Sequence, residues 1–219
     1  AAKGRGAVYV APSTAESDTQ KNENGAKTLI RFDGCTFSGN TVLGSTAGSA
    51  NAYDGGAAIS MVRGQVYADG CTFSGNEARF RGGAIRLNAG YSVLFLNRCT
   101  FTGNHISNNY GSAIAVNDGH LVMNNCTVSG NSGDATDTSV DAGSGSVFIV
   151  NSTIVETTAR AAVLRYENAG QAKNCTIINN IIVNGNYSLN SINIPNANTY
   201  LVSKGHNIVG KANGVASFT

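Results

Sequence analysis

The stretch Cys71-Thr72-Phe73-Ser74-Gly75-Asn76 decides the fold, because the same six residues recur at 35–40 and near-copies follow along the chain. A degenerate copy, Ser152-Thr153-Ile154, divides the longest interval. The five clear copies begin at Cys35, Cys71, Cys99, Cys126 and Cys175. Successive intervals are therefore 36, 28, 27, 26 and 23 residues. A recurrent interval of this size predicts a solenoid of stacked repeats.

A second signature runs in phase with the first. The aliphatic residue of an Ala-Ile or Ala-Val pair precedes the next cysteine by 12 to 14 residues, and glycines stand before several of these pairs. The pairs are Ala58-Ile59, Ala84-Ile85, Ala113-Ile114 and Ala162-Val163. No segment sustains a helical period, and the short alternating runs bounded by Gly, Asn and Asp indicate strands.

The alternation within each copy predicts how the repeats pack. In Cys-Thr-Phe, period two puts Cys and Phe on one face of a strand and Thr on the other. One repeat cannot bury its apolar face, whereas stacked repeats build a continuous core. We therefore predict an all-β fold, a right-handed single-stranded parallel β-helix of the pectate-lyase kind, with about six to eight coils. It would be one domain over 1–219, with loop insertions at 11–26 and 132–145.

Composition and charge exclude several classes of protein. The chain has 27 glycines, 2 prolines, no tryptophan and 13 % charged residues, which suits tight turns rather than helices. A net charge of +2 without a basic run gives no reason to expect a nucleic-acid partner. No apolar stretch is long enough to cross a membrane, and no signal peptide is evident. Because a repeat-like run already begins at 6–10, we expect a segment of a larger protein.

The five cysteines share one repeat position and are expected to point inward. In register they would lie one strand spacing apart, roughly 4.8 Å, whereas a disulfide needs Cβ atoms about 3.8 Å apart. We therefore predict a reduced internal ladder, and no metal site, since there is no Cys-x-x-Cys motif. A second ladder is predicted for the asparagines that follow the turn, because Asn suits turns and stacked amides bond to one another. These are Asn40, Asn76, Asn104 and Asn131, with Asn180 at the same place in the last copy.

The turn after each Gly-Asn varies most, and loops are where a solenoid carries its specificity. Aromatic residues recur there near one repeat position, at Tyr53, Phe80 and Tyr110. Such a row could stack on sugar rings and bind their hydroxyl groups. The alternative is that the rings cover loop backbone. The predicted ligand-binding residues are Tyr53, Asp54, Arg79, Phe80, Arg81, His105 and Tyr110.

The predicted loop at 132–145 carries three carboxylates, Asp134, Asp137 and Asp141. Together they could hold Ca²⁺, which prefers oxygen ligands. The spacing is not that of an EF-hand loop, so the alternative is a solvated acidic loop. No other cofactor is expected.

Catalytic residues are harder to assign. A polysaccharide lyase needs outward carboxylates for Ca²⁺ with a basic side chain nearby, and a glycoside hydrolase needs paired carboxylates on neighbouring coils. The nearest candidates, Asp69, Arg86 and Arg98, do not recur as a cluster, and no carboxylate pair is evident. The three histidines fall at unlike repeat positions. We therefore assign no catalytic residue.

The paired motifs Gly-Gly-Ala-Ile and Phe-Ser-Gly-Asn resemble those of bacterial surface proteins with right-handed parallel β-helix repeats. They look like the polymorphic outer-membrane proteins of intracellular bacteria and the anchored β-helix proteins of gut and environmental bacteria. The segment at 204–210, Lys-Gly-His-Asn-Ile-Val-Gly, is similar to one that closes many of the latter. The resemblance covers roughly 6–210 and implies a secreted or surface-displayed protein, without transferring any catalytic residue.

These observations favour an extracellular or bacterial cell-surface module, adhesin-like and non-catalytic, that binds a polysaccharide or host glycan. Other chains or domains of a larger surface protein are the other expected partners. Two alternatives stay open. One is a polysaccharide lyase or glycoside hydrolase of the β-helix class, and the other is a structural spacer in a surface assembly.

Overall fold

The computed structural model describes most of the chain, and its regular elements are all β-strands. Among these residues there is no helix that could cross a membrane. The described residues are 6–10, 28–42, 55–88, 92–117, 119–133, 137–143, 145–157, 162–166, 174–185, 190–194 and 200–213. The predicted insertion at 11–26 lies outside them.

The strands form three long sheets and one short sheet, which we call A to D. Sheet A contains β1 (Val8–Val10), β5 (Ile59–Met61), β9 (Ile85–Leu87), β13 (Ile114–Val116), β16 (Thr138–Ala142), β19 (Ala162–Tyr166), β22 (Asn190–Asn193) and β25 (Ala212–Asn213). Sheet B contains β2 (Leu29–Asp33), β6 (Gln65–Asp69), β10 (Val93–Asn97), β14 (His120–Asn124), β17 (Ser146–Val150), β20 (Asn174–Ile178) and β23 (Tyr200–Ser203). Sheet C contains β3 (Thr36–Ser38), β7 (Thr72–Ser74), β11 (Thr100–Thr102), β15 (Thr127–Ser129), β18 (Thr153–Glu156), β21 (Ile181–Asn184) and β24 (Ile208–Val209). Sheet D contains β4 (Thr41–Val42), β8 (Glu77–Ala78) and β12 (His105–Ile106).

Every strand pair is parallel and joins equivalent positions of neighbouring coils. In sheet B, for example, Leu94 lies opposite Val66 on one side and Leu121 on the other. A coil passes through sheets A, B and C in turn, and three coils add a strand of sheet D. The predicted all-β parallel β-helix is confirmed.

The core lies inside the coil, between the sheets. The middle strands of sheet B, β6, β10, β14 and β17, bury alternate residues, as period two requires. The phenylalanines of the repeated hexapeptide stack inside sheet C, with ring centroids 5.0 Å apart between Phe37 and Phe73 and 4.6 Å apart between Phe73 and Phe101. The strand spacing thus brings equivalent side chains of successive coils into direct contact.

The corner between sheets C and D explains the glycine of the hexapeptide. Gly75 and Gly103 have φ of +59° and +63°, a left-handed conformation that glycine adopts without steric cost. A Cβ atom on Gly75 would meet no neighbour within 4 Å. Backbone conformation, not space, therefore selects glycine at this corner.

The asparagines after this corner form a hydrogen-bonded column. The backbone N–H and the side-chain amide of Asn76 both donate to Oδ1 of Asn104, at 3.1 and 2.9 Å. Asn40 donates to Asn76, and Asn104 to Asn131, in the same way. The column continues to Glu156, whose carboxylate accepts both bonds from Asn131.

All five cysteines are free thiols, and four of them lie in one column. These are Cys35, which is half-buried, and Cys71, Cys99 and Cys126, which are buried. The prediction that Cys175 shares their position is wrong. It lies in sheet B, where it pairs with Val147, although it is also buried.

Asn180 also differs from the prediction, since it occupies the cysteine position of its coil rather than the asparagine position. Ser152 N donates to Asn180 Oδ1, and Asn180 N donates to Asn207 Oδ1, each at 2.9 Å. Sheets B and C both show alternation, so the pattern around Cys175 fits either one. The register is set instead by the corner residue before this column, which is Asn179 with φ of +52°.

The predicted loop insertion at 132–145 is wrong over Thr138–Ala142, which is strand β16 of sheet A. Val140 pairs with Ile114 and Ala142 with Val116, both within the core. The segment lacks the Gly-Gly-Ala-Ile signature, and its carboxylates suggested solvent exposure. Its period-two alternation nevertheless supplies the strand that this coil needs.

Candidate binding site

The structure brings part of the predicted ligand-binding edge together over the outer face of sheet A. Phe80 and Tyr110 contact Arg86 and Arg165, whose positions in β9 and β19 belong to one outward column. Arg81 joins this cluster through a 2.7 Å bond from its Nε to Asn109 Oδ1. Tyr53 and Asp54 lie outside the described residues.

The rings of this cluster offer little free face to a ligand. The Arg86 and Arg81 guanidinium carbons lie 5.7 and 5.9 Å from the centroid of Phe80. That of Arg165 lies 4.2 Å from the centroid of Tyr110. All three distances are in the cation–π range, and both rings are half-buried. The geometry favours the covering role for these two rings over a sugar platform.

The remaining members of the predicted edge, Arg79 and His105, belong to the region of sheet D. Arg79 follows β8 and donates its backbone N–H to Val42 O. His105 lies in β12, and its Nδ1 is 3.0 Å from Ser132 Oγ. The side chain of His105 thus contacts the neighbouring coil at Ser132.

Asp137 and Asp141 are both fully buried, so the alternative of a solvated acidic loop is wrong for these two residues. Asp141 faces outward from β16 and bonds to Nη1 of Arg165 at 2.8 Å. Burial raises the pKa of Asp141, and the charge of Arg165 opposes this rise. Asp134 lies outside the described residues, among which no group of three His, Cys, Asp or Glu is placed to hold a metal.

Asp137 belongs to a second buried carboxyl cluster with Glu156. Burial raises the pKa of Asp137 to about 7, and the charge of Glu156 adds to this rise. Burial also raises the pKa of Glu156, while its hydrogen bond from Asn131 opposes the rise. The two carboxyl groups lie inside the solenoid wall, where a substrate would not reach them.

The outer face of sheet B holds a carboxylate pair that the sequence analysis missed. Asp33 and Asp69 occupy the same register on neighbouring coils. Each stands two residues before a cysteine, which is the signal that could have revealed the pair. Both oxygens of Asp69 accept bonds of 2.8 Å from Arg98, and this pairing holds the pKa of Asp69 below its usual value. Asp69 is therefore ionised and already bonded to Arg98, so it is not suited to donate a proton to a substrate.

A column of large side chains also faces outward along the centre of sheet B. Tyr67 and Phe95 stack with centroids 4.9 Å apart, and the guanidinium carbon of Arg31 lies 4.6 Å from the centroid of Tyr67. Val122 and Phe148 continue the column on the next two coils. Each member from Arg31 to Val122 stands four residues before a cysteine, an offset that could have identified the column.

This column forms one wall of a shallow groove with a volume of about 330 Å³. The other wall is the first outward position of the same three strands. The groove is lined by Leu29, Arg31, Gln65, Val66, Tyr67, Val93 and Phe95. It combines an apolar floor with two polar side chains, as small-ligand sites commonly do.

The comparisons with known proteins identify the family. A family model described as a right-handed beta helix region matches residues 22–210. Comparison with curated proteins and with solved structures finds no match. The match covers most of the chain and supports the predicted right hand of the coil. The protein therefore belongs to the right-handed β-helix family.

Proposed function

We propose that this β-helix is an extracellular or cell-surface, adhesin-like module that binds a glycan without cleaving it. The observation that carries the proposal is the groove on the outer face of sheet B, with its column of Arg31, Tyr67 and Phe95. Exposed apolar surface rimmed by polar groups is typical of ligand and partner sites. A larger surface protein would present this module to a polysaccharide or host glycan.

The groove suits sugars because it offers both kinds of contact that a pyranose makes. The C–H faces of a sugar can lie on Leu29, Val93 and the rim of the ring column, while its hydroxyl groups bond to Gln65 and Arg31. The rings stack on one another, so a ligand meets their edges rather than an open face. We therefore expect modest affinity, spread over several sugar units.

The absence of catalysis in this proposal follows from the state of the outward carboxylates. A hydrolase needs one protonated and one ionised carboxyl group flanking the scissile bond. Asp69 is ionised and bonded to Arg98, and the carboxyl groups with raised pKa, Asp137 and Glu156, are buried in the wall. The pair of Asp33 and Asp69 is nonetheless the specific feature that favours a glycosidase as the second candidate.

A glycan array tests the proposal. Wild-type protein should bind a subset of glycans, and Tyr67→Ala should weaken that binding by at least tenfold, about the effect of losing 1.4 kcal/mol. Phe148→Ala is the matched control, because Phe148 belongs to the same outward column but lies outside the groove. Its binding should equal that of wild type.

Two outcomes would contradict the proposal. If every glycan failed to bind a folded protein, the role of spacer would be the better account. If the bound glycan were cleaved, and Asp33→Asn or Asp69→Asn stopped the cleavage, the glycosidase would replace it. Detection of new reducing ends and of unsaturated sugars in the same samples separates these cases.

A further inference from the structure

We infer that the outer face of sheet B binds a second copy of this chain, in a symmetric dimer whose two solenoids run antiparallel. The twofold axis would lie along β14, the middle strand of the sheet, so that β2 faces β23 and β10 faces β17 of the other copy. The inference goes beyond the proposed function and can fail independently of it. Two observations carry it, the exposed apolar column of this face and the charges at its two ends.

The outward column of sheet B extends well beyond the groove. The register of the sheet places one member from each strand in line, and none of the seven is fully buried. Phe148, outside the groove, is 38 % exposed. A continuous exposed surface of this kind is typical of a partner site. Its members are Arg31, Tyr67, Phe95, Val122, Phe148, Thr176 and Val202.

The face is large enough for a weak dimer. Seven strands about 4.8 Å apart, each of up to five residues at about 3.3 Å, span roughly 34 by 16 Å, or about 500 Å² on each copy. The two copies together would bury about 1,000 Å², the lower limit for a specific interface. We therefore expect a reversible dimer with a dissociation constant in the micromolar range.

The order of the side chains favours the antiparallel arrangement over the parallel one. With the axis along β14, Phe95 of one copy lies opposite Phe148 of the other, and aromatic pairs of this kind are enriched in interfaces. With parallel solenoids, Arg31 would instead face Arg31, and Leu29 would face Asp33. Both contacts are unfavourable, because one opposes like charges and the other places a charge against an apolar group.

Charges at the two ends of the face are complementary in the antiparallel arrangement. Asp33 holds the last outward position of β2, and Lys204 the equivalent position just beyond β23. Both are exposed, and neither forms an ion pair with another described residue. Asp69, next to Asp33, is already neutralised by Arg98. The axis brings Asp33 of each copy opposite Lys204 of the other, while Arg31 lies at the end of the interface, where its guanidinium can remain in water.

The dimer would cover the groove, because the groove lies on β2, β6 and β10 of the same face. A glycan and a second copy therefore compete for this surface, and the monomer is the form that binds glycan. Below the dissociation constant of the dimer the groove is open. A glycan that binds there should shift the dimer towards monomer.

Sedimentation velocity of the full chain over a series of concentrations tests the dimer. Wild type should pass from monomer to dimer as its concentration rises through the micromolar range. Phe148→Glu should weaken self-association at least tenfold, because it buries a charge within the interface. Thr72→Glu adds the same charge on the outer face of sheet C and should leave self-association unchanged. A melting curve for each variant separates loss of the dimer from loss of the fold.

Charge reversal tests the antiparallel register. Asp33→Lys and Lys204→Asp should each weaken the dimer by about 3- to 30-fold, since like charges then meet twice in the symmetric interface. The double variant should regain the wild-type affinity, because both ion pairs form again with their signs exchanged. A general effect of net charge is excluded if both single variants weaken the dimer, since they change the net charge in opposite directions.

A cross-link tests the position of the axis. Val122 is the central outward residue of β14 and would face its own counterpart across the axis. With Cys35→Ser to remove the half-buried thiol, Val122→Cys brings two thiols within about 10 Å, the distance between packed sheets. A short bismaleimide should then join the copies covalently. Thr72→Cys, on the outer face of sheet C, is the control and should give no covalent dimer.

Three results would overturn the inference: a protein that stays monomeric throughout the micromolar range, self-association unchanged by Phe148→Glu, or a double charge variant that is not restored. These failures are distinguishable from failure of the proposed function. Glycan binding by a protein that stays monomeric would leave the proposed function standing alone, whereas a dimer with the expected register that binds no glycan would leave only the inference.

Discussion

At the scale of single residues, Asp137 makes stability depend on pH. Its pKa is about 7 in the folded protein, because burial disfavours the charged form, and near 3.8 in the unfolded chain. The stability that the neutral carboxyl group of Asp137 gives to the fold is therefore fully present below about pH 4 and is lost as the pH rises through 7. The loss amounts to roughly 4 kcal/mol at most, from the energy of about 1.4 kcal/mol per pKa unit.

We predict that Asp137→Asn raises the free energy of unfolding at pH 8 relative to wild type, and that the gain shrinks towards pH 5. Urea denaturation at both pH values measures the two differences. Asp33→Asn, which changes an exposed carboxyl group, is the control and should give a small, constant difference. A gain for Asp137→Asn that is the same at pH 5 and pH 8 would contradict the assigned pKa.

Single residues are also where the sequence was least informative. Three aspartates within eight positions looked like a metal loop, yet two of them are buried in or next to a strand. Carboxylates are rarely buried, so composition argued for a surface loop. What composition cannot reveal is that Arg165, 24 residues further on, would supply the partner of Asp141.

At the scale of elements, the phenylalanine stack in sheet C carries much of the packing. Phe73 is fully buried between Phe37 and Phe101. We predict that Phe73→Ala lowers the free energy of unfolding by about 3–5 kcal/mol, since it leaves a cavity between two coils. Denaturant titration measures it, with Phe148→Ala as control because that ring is 38 % exposed. Equal effects of the two changes would show that the inward stack adds nothing.

The asparagine column joins successive coils through hydrogen bonds, and a substitution within it measures how much those bonds stabilise the fold. Asn104 accepts from the backbone N–H of Asn76 and donates to Phe73 O, and both partners are buried in the wall. Asn104→Ala should cost about 1–3 kcal/mol for each group left unpaired. Asn97→Ala removes a similar bond from the outer face of sheet B, where water can replace it. We expect its cost in a denaturant titration to be less than half that of Asn104→Ala.

Elements were predictable wherever the hexapeptide is intact. The phenylalanine of each intact copy, at Phe37, Phe73 and Phe101, marks the strand and its inward face. The glycine two residues later marks the corner. Prediction failed where the motif decays, because Cys175 and Ile177 alternate as well in sheet B as they would in sheet C. The groove was missed for a different reason. Tyr67 and Phe95 lie on different coils, and only the register shows that they meet.

At the scale of the whole molecule, the protein is a stack in which each coil contacts mainly its neighbours. Stability in such a stack is close to a sum of coil and interface contributions. Cys71, Cys99 and Cys126 are covered by coils on both sides, whereas Cys35 lies in the first described coil of the column and is half-buried. The thiols therefore report how the solenoid opens along its length.

We predict that a thiol reagent modifies Cys35 first in the native state. Burial raises the pKa of the Cys71 thiol, and it raises that of Cys175 to about 12, so both react slowly even when the reagent reaches them. The time course, followed by peptide mapping, should show one early site and four sites that react only as fast as the protein unfolds. Cys35→Ser should remove the early phase alone. If Cys99 or Cys126 reacted as early as Cys35, the wall would be open in the middle, and the continuous core described above would be refuted.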